Sequence, residues 1–214
     1  MLLDALEPLA GASVLDFACG AGVGSAWLAA RGAAVTGIDL SPRSLERARE
    51  LAERAGVEAE FVEGGVDAVG SRVFDRLAGR FALHHVDVQA VAPQLASVLL
   101  AGGSGAFLET MGTFPVFPVL RRHVTGRVGI PRLGTDDEHP LTSVDLDVLR
   151  EAFGGAVECR VGEAFFLRLF DRQVLQWRSP RASRAIGRAD DALLGRLWPE
   201  RWSYHQVVVV RKPG

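Results

Sequence analysis

Residues 14–55, VLDFACGAGVGSAWLAARGAAVTGIDLSPRSLERARELAERA, leave this chain few folds to choose from. The apolar run Val14-Leu15-Asp16-Phe17 reads as a strand. It enters the small-residue loop Ala18 to Gly24, and an alanine-rich helical pattern follows until Gly32 stops it. A second apolar run, Ala34 to Ile38, closes in Asp39, nineteen residues beyond Gly20, and Ser41-Pro42 opens another helix. Serine suits the N-cap, and proline suits the first helical position, where its missing N–H is not needed. The stretch is therefore a βαβα unit with an acid at the end of its second strand. A right-handed unit of this kind builds a parallel sheet with a crevice at the carboxyl ends of its strands.

Glycines without Cβ atoms let the loop turn sharply and let its backbone lie against a ligand. A carboxylate at the end of the second strand can accept two hydrogen bonds from a ribose diol, so the crevice is shaped for a nucleoside. A dinucleotide fingerprint reads GxGxxG and carries no charge in the preceding strand. Here the spacing is Gly20-x-Gly22-x-Gly24, Ser25 stands where the third glycine would fall, and Asp16 lies inside the strand. An acid at that place repels a pyrophosphate and can pair with an ammonium.

This pattern resembles the first motif of the class I S-adenosylmethionine-dependent methyltransferases. The resemblance implies that Asp16 lies near the methionine moiety and Asp39 on the ribose, with Ala18, Gly20, Gly22 and Leu40 along the same site. Ala18 stands where the family often has glycine. Many relatives follow the third strand, here Ala59–Glu63, with an aspartate that meets the adenine amino group. This chain has Gly65 there, then Val66 and Asp67, so either Asp67 or the backbone makes that contact.

Residues 74–87, FDRLAGRFALHHVD, resemble a later motif of the family, a strand beginning Phe-Asp whose following loop carries Leu-His-His. That loop borders the transferable methyl group, which implies Gly79, Arg80, His84 and His85 near the cofactor. Imidazole titrates near neutral pH, so His84 or His85 is the candidate general base, and His139, beside Glu138, is the alternative. The plainer reading of a paired histidine is a helix start with one ring solvated.

The implied fold is α/β: a seven-stranded, mostly parallel, doubly wound sheet with helices on both faces. The last strand, Tyr204 to Val210, is expected to run antiparallel between the fifth and sixth, and its continuous apolarity fits an interior place. Leucines at 2, 3, 6 and 9 suggest a short helix covering either the cofactor loop or the sheet edge. A helix is expected over 89–101 with Pro93 in its first turn and Gly102-Gly103 as its end, then a strand over 104–110, a helix from an N-cap at Ser143 to Phe153, and a strand from Ala156 to Val161.

Two stretches, 111–142 and 165–202, exceed that frame and read as substrate-lid insertions of a single domain spanning 1–214. The first follows a strand's carboxyl end, where open sheets bind ligands. Met111, Phe114, Phe117 and Arg121 are its expected substrate contacts. Its arginines at 121, 122, 127 and 132 either hold an anionic substrate group or form a solvated rim with Asp136, Asp137 and Glu138.

A net charge of −2 gives no broad footprint for nucleic acid, and the Asn/Asp-Pro-Pro-aromatic run of many base methyltransferases is absent after Arg80. Two cysteines, Cys19 and Cys159, make neither a disulfide framework nor a metal set, and no metal is expected. The opening residues, with Asp4 and Glu7 and no basic start, do not read as a signal peptide, no run suffices to span a bilayer, and the expected location is the cytoplasm. The expected function is methyl transfer from S-adenosylmethionine to O or C of a small, fairly apolar, natural-product type metabolite, with a His general base. The alternative is a domain that binds S-adenosylmethionine without methyl transfer, as a cyclase or partner subunit. A nicotinamide-dependent dehydrogenase is disfavoured by Asp16 and the missing third glycine.

Overall fold

In a computed structural model, which describes residues 2–112, 139–163, 167–171, 179–193 and 203–214, the strands join one seven-stranded sheet. They are β1 (Ser13–Phe17), β2 (Ala34–Asp39), β3 (Ala59–Glu63), β4 (Phe74–Arg80), β5 (Leu99–Thr110), β6 (Val157–Glu163) and β7 (His205–Arg211), in the order β3-β2-β1-β4-β5-β7-β6. β7 is antiparallel to both its neighbours and the remaining pairs are parallel, as the family resemblance implied.

The helices are α1 (Val23–Ala29), α2 (Pro42–Ala55), α3 (Val88–Ser97), α4 (Ser143–Phe153), α5 (Leu167–Phe170) and α6 (Pro180–Leu193). No helix among the described residues is long and apolar enough to cross a membrane.

Strand alternation divides the core between the two faces of the sheet. Leu15, Phe17, Leu77, Phe107, Val208 and Val210 pack with Ala92 and Leu95 of α3 and with Leu149 and Phe153 of α4. On the other face Val14, Val35, Ala78, Ala106, Val207 and Val209 meet Leu28 of α1 together with Leu6 and Leu9. The N-terminal leucines thus cover the sheet rather than a cofactor loop, and their helical part is one 3-10 turn, Leu3–Ala5.

α2 forms as its caps predict. The Ser41 side chain accepts the Ser44 N–H at 3.2 Å, Pro42 fills the first position, and Gly56 ends the helix at φ 65°. Ser41→Ala is expected to cost about 1 kcal/mol, read as a lower denaturant midpoint at unchanged slope.

Three boundaries depart from expectation. α3 starts at Val88 and stops at Ser97, so Pro93, its sixth residue, lies beyond its first turn, and β5 already pairs at Leu99 with Phe74. Gly102 and Gly103 therefore serve a strand irregularity and not a helix end. Gly102 takes φ 75°, and a Cβ on Gly103 would stand 2.9 Å from the Asp75 carbonyl oxygen. The α4 N-cap is Thr142, whose N–H and hydroxyl both reach Asp145 Oδ2 at 2.7 Å, and Ser143 is the first helical residue. β6 begins one residue later than expected and runs two residues further, to Glu163.

Candidate active site

The carboxyl ends of β1, β2 and β4 meet the loop between β1 and α1. A cleft of about 170 Å³ opens there, lined by Asp16, Ala18, Cys19, Gly20, Ala21, Val23, Gly24 and Arg80.

Asp16 is buried, and its Oδ2 accepts the hydroxyl of the equally buried Ser25 at 2.6 Å. Gly24 is small for the same reason: a Cβ there would lie 3.0 Å from Asp16 Oδ2. Burial pushes the Asp16 carboxyl up to about 6, against the opposing pull of the Ser25 hydrogen bond and of the Arg80 charge. The Cys19 thiol is pushed up to about 12, by burial first and then by the negative fields of Asp16 and Asp39. It is a packing group at neutral pH, not a nucleophile.

Asp39 is held rigidly. Its Oδ2 accepts the Gly20 N–H and its Oδ1 the Ser41 N–H, each at 2.9 Å. Each oxygen keeps a second lone pair, which suits the two hydroxyls of a ribose. The space around Gly20 supports that use, since a Cβ on it would meet nothing within 4 Å. Leu40, next in the chain, is 77% exposed and offers an apolar surface beside the carboxylate.

Two of the loop residues need a different account from the sequence reading. Gly22 does not make room for a ligand, because a Cβ on it would stand 2.7 Å from the Ala48 Cβ of α2. Its constraint is helix packing. Ala18 takes φ 52°, a left-handed conformation that costs an alanine about 1 kcal/mol and that glycine adopts freely.

Elsewhere the predicted set divides by burial. Val66 lies in the core, so its backbone alone is available to a cofactor, while Asp67 is exposed. Gly79 gives space to the Phe107 ring, which would be 2.6 Å from a Cβ there. Arg80 is exposed and shares the cleft with Asp16. Met111 is buried in the core, with its N–H on the Tyr204 carbonyl at 2.7 Å and a bridge to Leu141. Phe114, Phe117 and Arg121 lie outside the described residues.

The histidines come together at the neighbouring strand ends. His84 and His85 form a 3-10 turn with Leu83 just after β4, their rings 4.2 Å apart, the first buried and the second exposed. The His139 N–H donates to the His84 carbonyl at 2.8 Å. Sequence reasoning missed three residues here. Glu109, near the end of β5, is fully buried against His84, and the rings of His205 and His84 stand 5.1 Å and 6.1 Å from that of Phe81. A lone acid near the end of an apolar strand, level with a His-His loop, was the available signal for Glu109. No group of three or more metal-ligating side chains occurs among the described residues.

Comparison with known proteins fits this architecture. A family profile described as "Methyltransferase domain" matches residues 14–103. The ubiquinone biosynthesis O-methyltransferase of Methylobacterium sp. (strain 4-46) is 31% identical over 166 residues, which cover 74% of this chain and 66% of that protein. The enzyme of the same name from Paracidovorax citrulli (strain AAC00-1) is 35% identical over 113 residues, 51% of this chain and 48% of its own length. The chain thus spans between about half and two thirds of these two relatives. Among solved structures, an S-adenosylmethionine dependent methyltransferase from Mesorhizobium loti superposes with a TM-score of 0.64 at 20% identity, covering 99% of this chain and 95% of that one. Magnesium protoporphyrin IX methyltransferase from Synechocystis PCC 6803 with bound SAH gives 0.64 at 18% identity, covering 98% and 78%. At such identities the structural likeness speaks for the fold.

Proposed function

Because the chain belongs to the class I S-adenosylmethionine-dependent methyltransferases, we propose that it binds S-adenosylmethionine and transfers its methyl group to an oxygen of a small, fairly apolar acceptor. The observation that carries this reading is the buried carboxylate of Asp16 sharing one cleft with the guanidinium of Arg80. The two charges complement the ammonium and carboxylate of an α-amino acid, a pairing that a dinucleotide lacks. Asp39 then receives the ribose and Leu40 lies against the base. The names of the relatives support oxygen over carbon as the acceptor atom.

When bound, the cofactor supplies a methyl group on a positively charged sulfur, which is electrophilic without further activation. This chain has to add orientation, worth several kcal/mol of barrier, and a place for the proton of an acceptor hydroxyl, worth on the order of 10²- to 10⁴-fold. His84 is assigned that proton, because its Nδ1 is engaged with Glu109 and its Nε2 remains. His85, its ring 4.2 Å from that of His84, and His139, whose N–H donates to the His84 carbonyl, lie close enough to shape the same space.

The test is calorimetry with S-adenosylhomocysteine and with NAD⁺, followed by mass spectrometry of methyl transfer to catechol as a phenolic probe. Binding of S-adenosylhomocysteine alone is expected, and Asp39→Ala should weaken it by at least about tenfold. His84→Ala should slow transfer by at least about tenfold at nearly unchanged affinity. No uptake at millimolar concentration would overturn the reading.

A further inference from the structure

Glu109 has no part in the cofactor cleft, yet the loop after β4 is built on it. Its side chain is fully buried. Oε1 accepts the N–H groups of Ala82 at 2.9 Å and Leu83 at 2.8 Å, and Oε2 stands 2.7 Å from Nδ1 of His84. A carboxylate is costly to bury unless hydrogen bonds replace its water, and here two backbone N–H groups donate to it while Nδ1 of His84 stands against its other oxygen. The same loop holds Phe81 at φ 56°, a conformation unusual for a bulky residue, with its ring edge-on to those of His84 and His205. The His84 carbonyl meanwhile takes the His139 N–H. His84 is fixed both at its ring and at its backbone.

We propose that Glu109 is a positioning residue that holds His84 in the tautomer with its proton on Nδ1, leaving Nε2 as the acceptor. The inference rests on the reading that His84 takes the proton of the methyl acceptor. Both amide donors converge on Oε1, so that oxygen acts only as an acceptor. On a carboxylate Oε2 accepts as well, and Nδ1 must then donate. Nε2 is not stranded in the interior, since the one buried side-chain N or O atom without a partner among the described residues is Ser183 Oγ. On taking a proton at Nε2 the ring becomes an imidazolium whose Nδ1–H already rests on a negative oxygen, and the proton passes to water before the next turnover.

A glutamine at this position has the same shape and the opposite effect. Its carbonyl oxygen would keep the Ala82 and Leu83 amides, which turns its NH₂ toward Nδ1. That nitrogen must then accept, and the ring proton moves to Nε2.

Long-range ¹H–¹⁵N correlation spectra of the histidine-labelled chain read the tautomer directly, with a His84→Phe spectrum identifying the resonances. The wild type is expected to show the Nδ1–H form. Glu109→Gln should show the Nε2–H form, with S-adenosylhomocysteine affinity within about threefold of wild type and transfer to catechol reduced at least about thirtyfold. A wild-type spectrum of the Nε2–H form would overturn the proposal whether or not the variant folds, and so would an unchanged tautomer in a folded Glu109→Gln. A switched tautomer with undiminished transfer in both Glu109→Gln and His84→Ala would support the positioning by Glu109 and remove His84 as the proton acceptor.

Discussion

Asp16→Asn should raise the melting temperature of the ligand-free protein and remove most of its affinity for S-adenosylhomocysteine. The folded protein holds the Asp16 proton up to about pH 6, whereas the group's ordinary value is 3.8. Folding therefore favours the protonated form. This contribution to stability is fully present below pH 3.8 and is lost as pH rises through about 6. At pH 7.5 the buried charge costs on the order of 2–3 kcal/mol. Asparagine removes that cost and still presents an oxygen to the Ser25 hydroxyl. For a chain of this size the gain corresponds to a rise of roughly 4–10 °C.

A cationic ligand reverses the balance. An ammonium opposite Asp16 turns an unfavourable buried charge into a hydrogen-bonded pair, and losing one partner of such a pair costs on the order of 10²-fold in affinity or more. Acidification should mimic the substitution: wild-type affinity falls as pH drops through about 6, and that of the variant does not follow. Calorimetry at pH 5 and pH 7.5, alongside thermal unfolding of the free proteins, measures both effects. A variant that melts no higher and binds as well as wild type would remove Asp16 from the site.

Gly22→Ala should destabilise the fold itself. The new methyl would stand 2.7 Å from the Ala48 Cβ and 2.9 Å from its Cα, at a residue whose φ is 76°. Left-handed strain of about 1 kcal/mol and overpacking of about 1–3 kcal/mol add to roughly 3 kcal/mol, or a melting temperature lower by about 6–12 °C. Gly20→Ala is the control. Its φ is 54° but its methyl would meet nothing within 4 Å, so the stability loss stays near about 1 kcal/mol while the methyl enters the ligand's space. Denaturant unfolding and S-adenosylhomocysteine titration on both variants should therefore rank them oppositely. If Gly22→Ala unfolds at the wild-type midpoint, the packing account of that loop is wrong.

These two glycines mark how far the sequence could be read. Local chemistry was legible where one residue type has one use: Ser41, Pro42 and Gly56 defined α2 to the residue, and the unbroken valines of β7 announced an interior strand. The motif also located Asp16 inside β1 and Asp39 at the end of β2, since their positions follow from the strands alone. What a glycine is small against was not legible. Gly22 faces Ala48, Gly79 faces Phe107 and Gly103 faces Asp75, and each partner lies more than twenty residues away in sequence. Glu109 was hidden for a related reason. Its spacing in SGAFLET is that of any strand residue, and its three partners come from a loop twenty-five to twenty-seven residues earlier. The burial of Met111 was likewise not legible, because its partners Leu141 and Tyr204 lie thirty and ninety-three residues further along the chain.

The strand order has a consequence for biosynthesis. Among the described residues β6 has β7 as its sole neighbour, and β7 is made some forty residues later, so at the ribosome β6 leaves the exit tunnel ahead of the strand it pairs with. β5 waits with it, one edge unpaired until β7 arrives. Exposed edges of that kind invite intermolecular pairing. During translation, the interval between Glu163 and His205 is when a nascent copy is most open to association with another, or to capture by a chaperone.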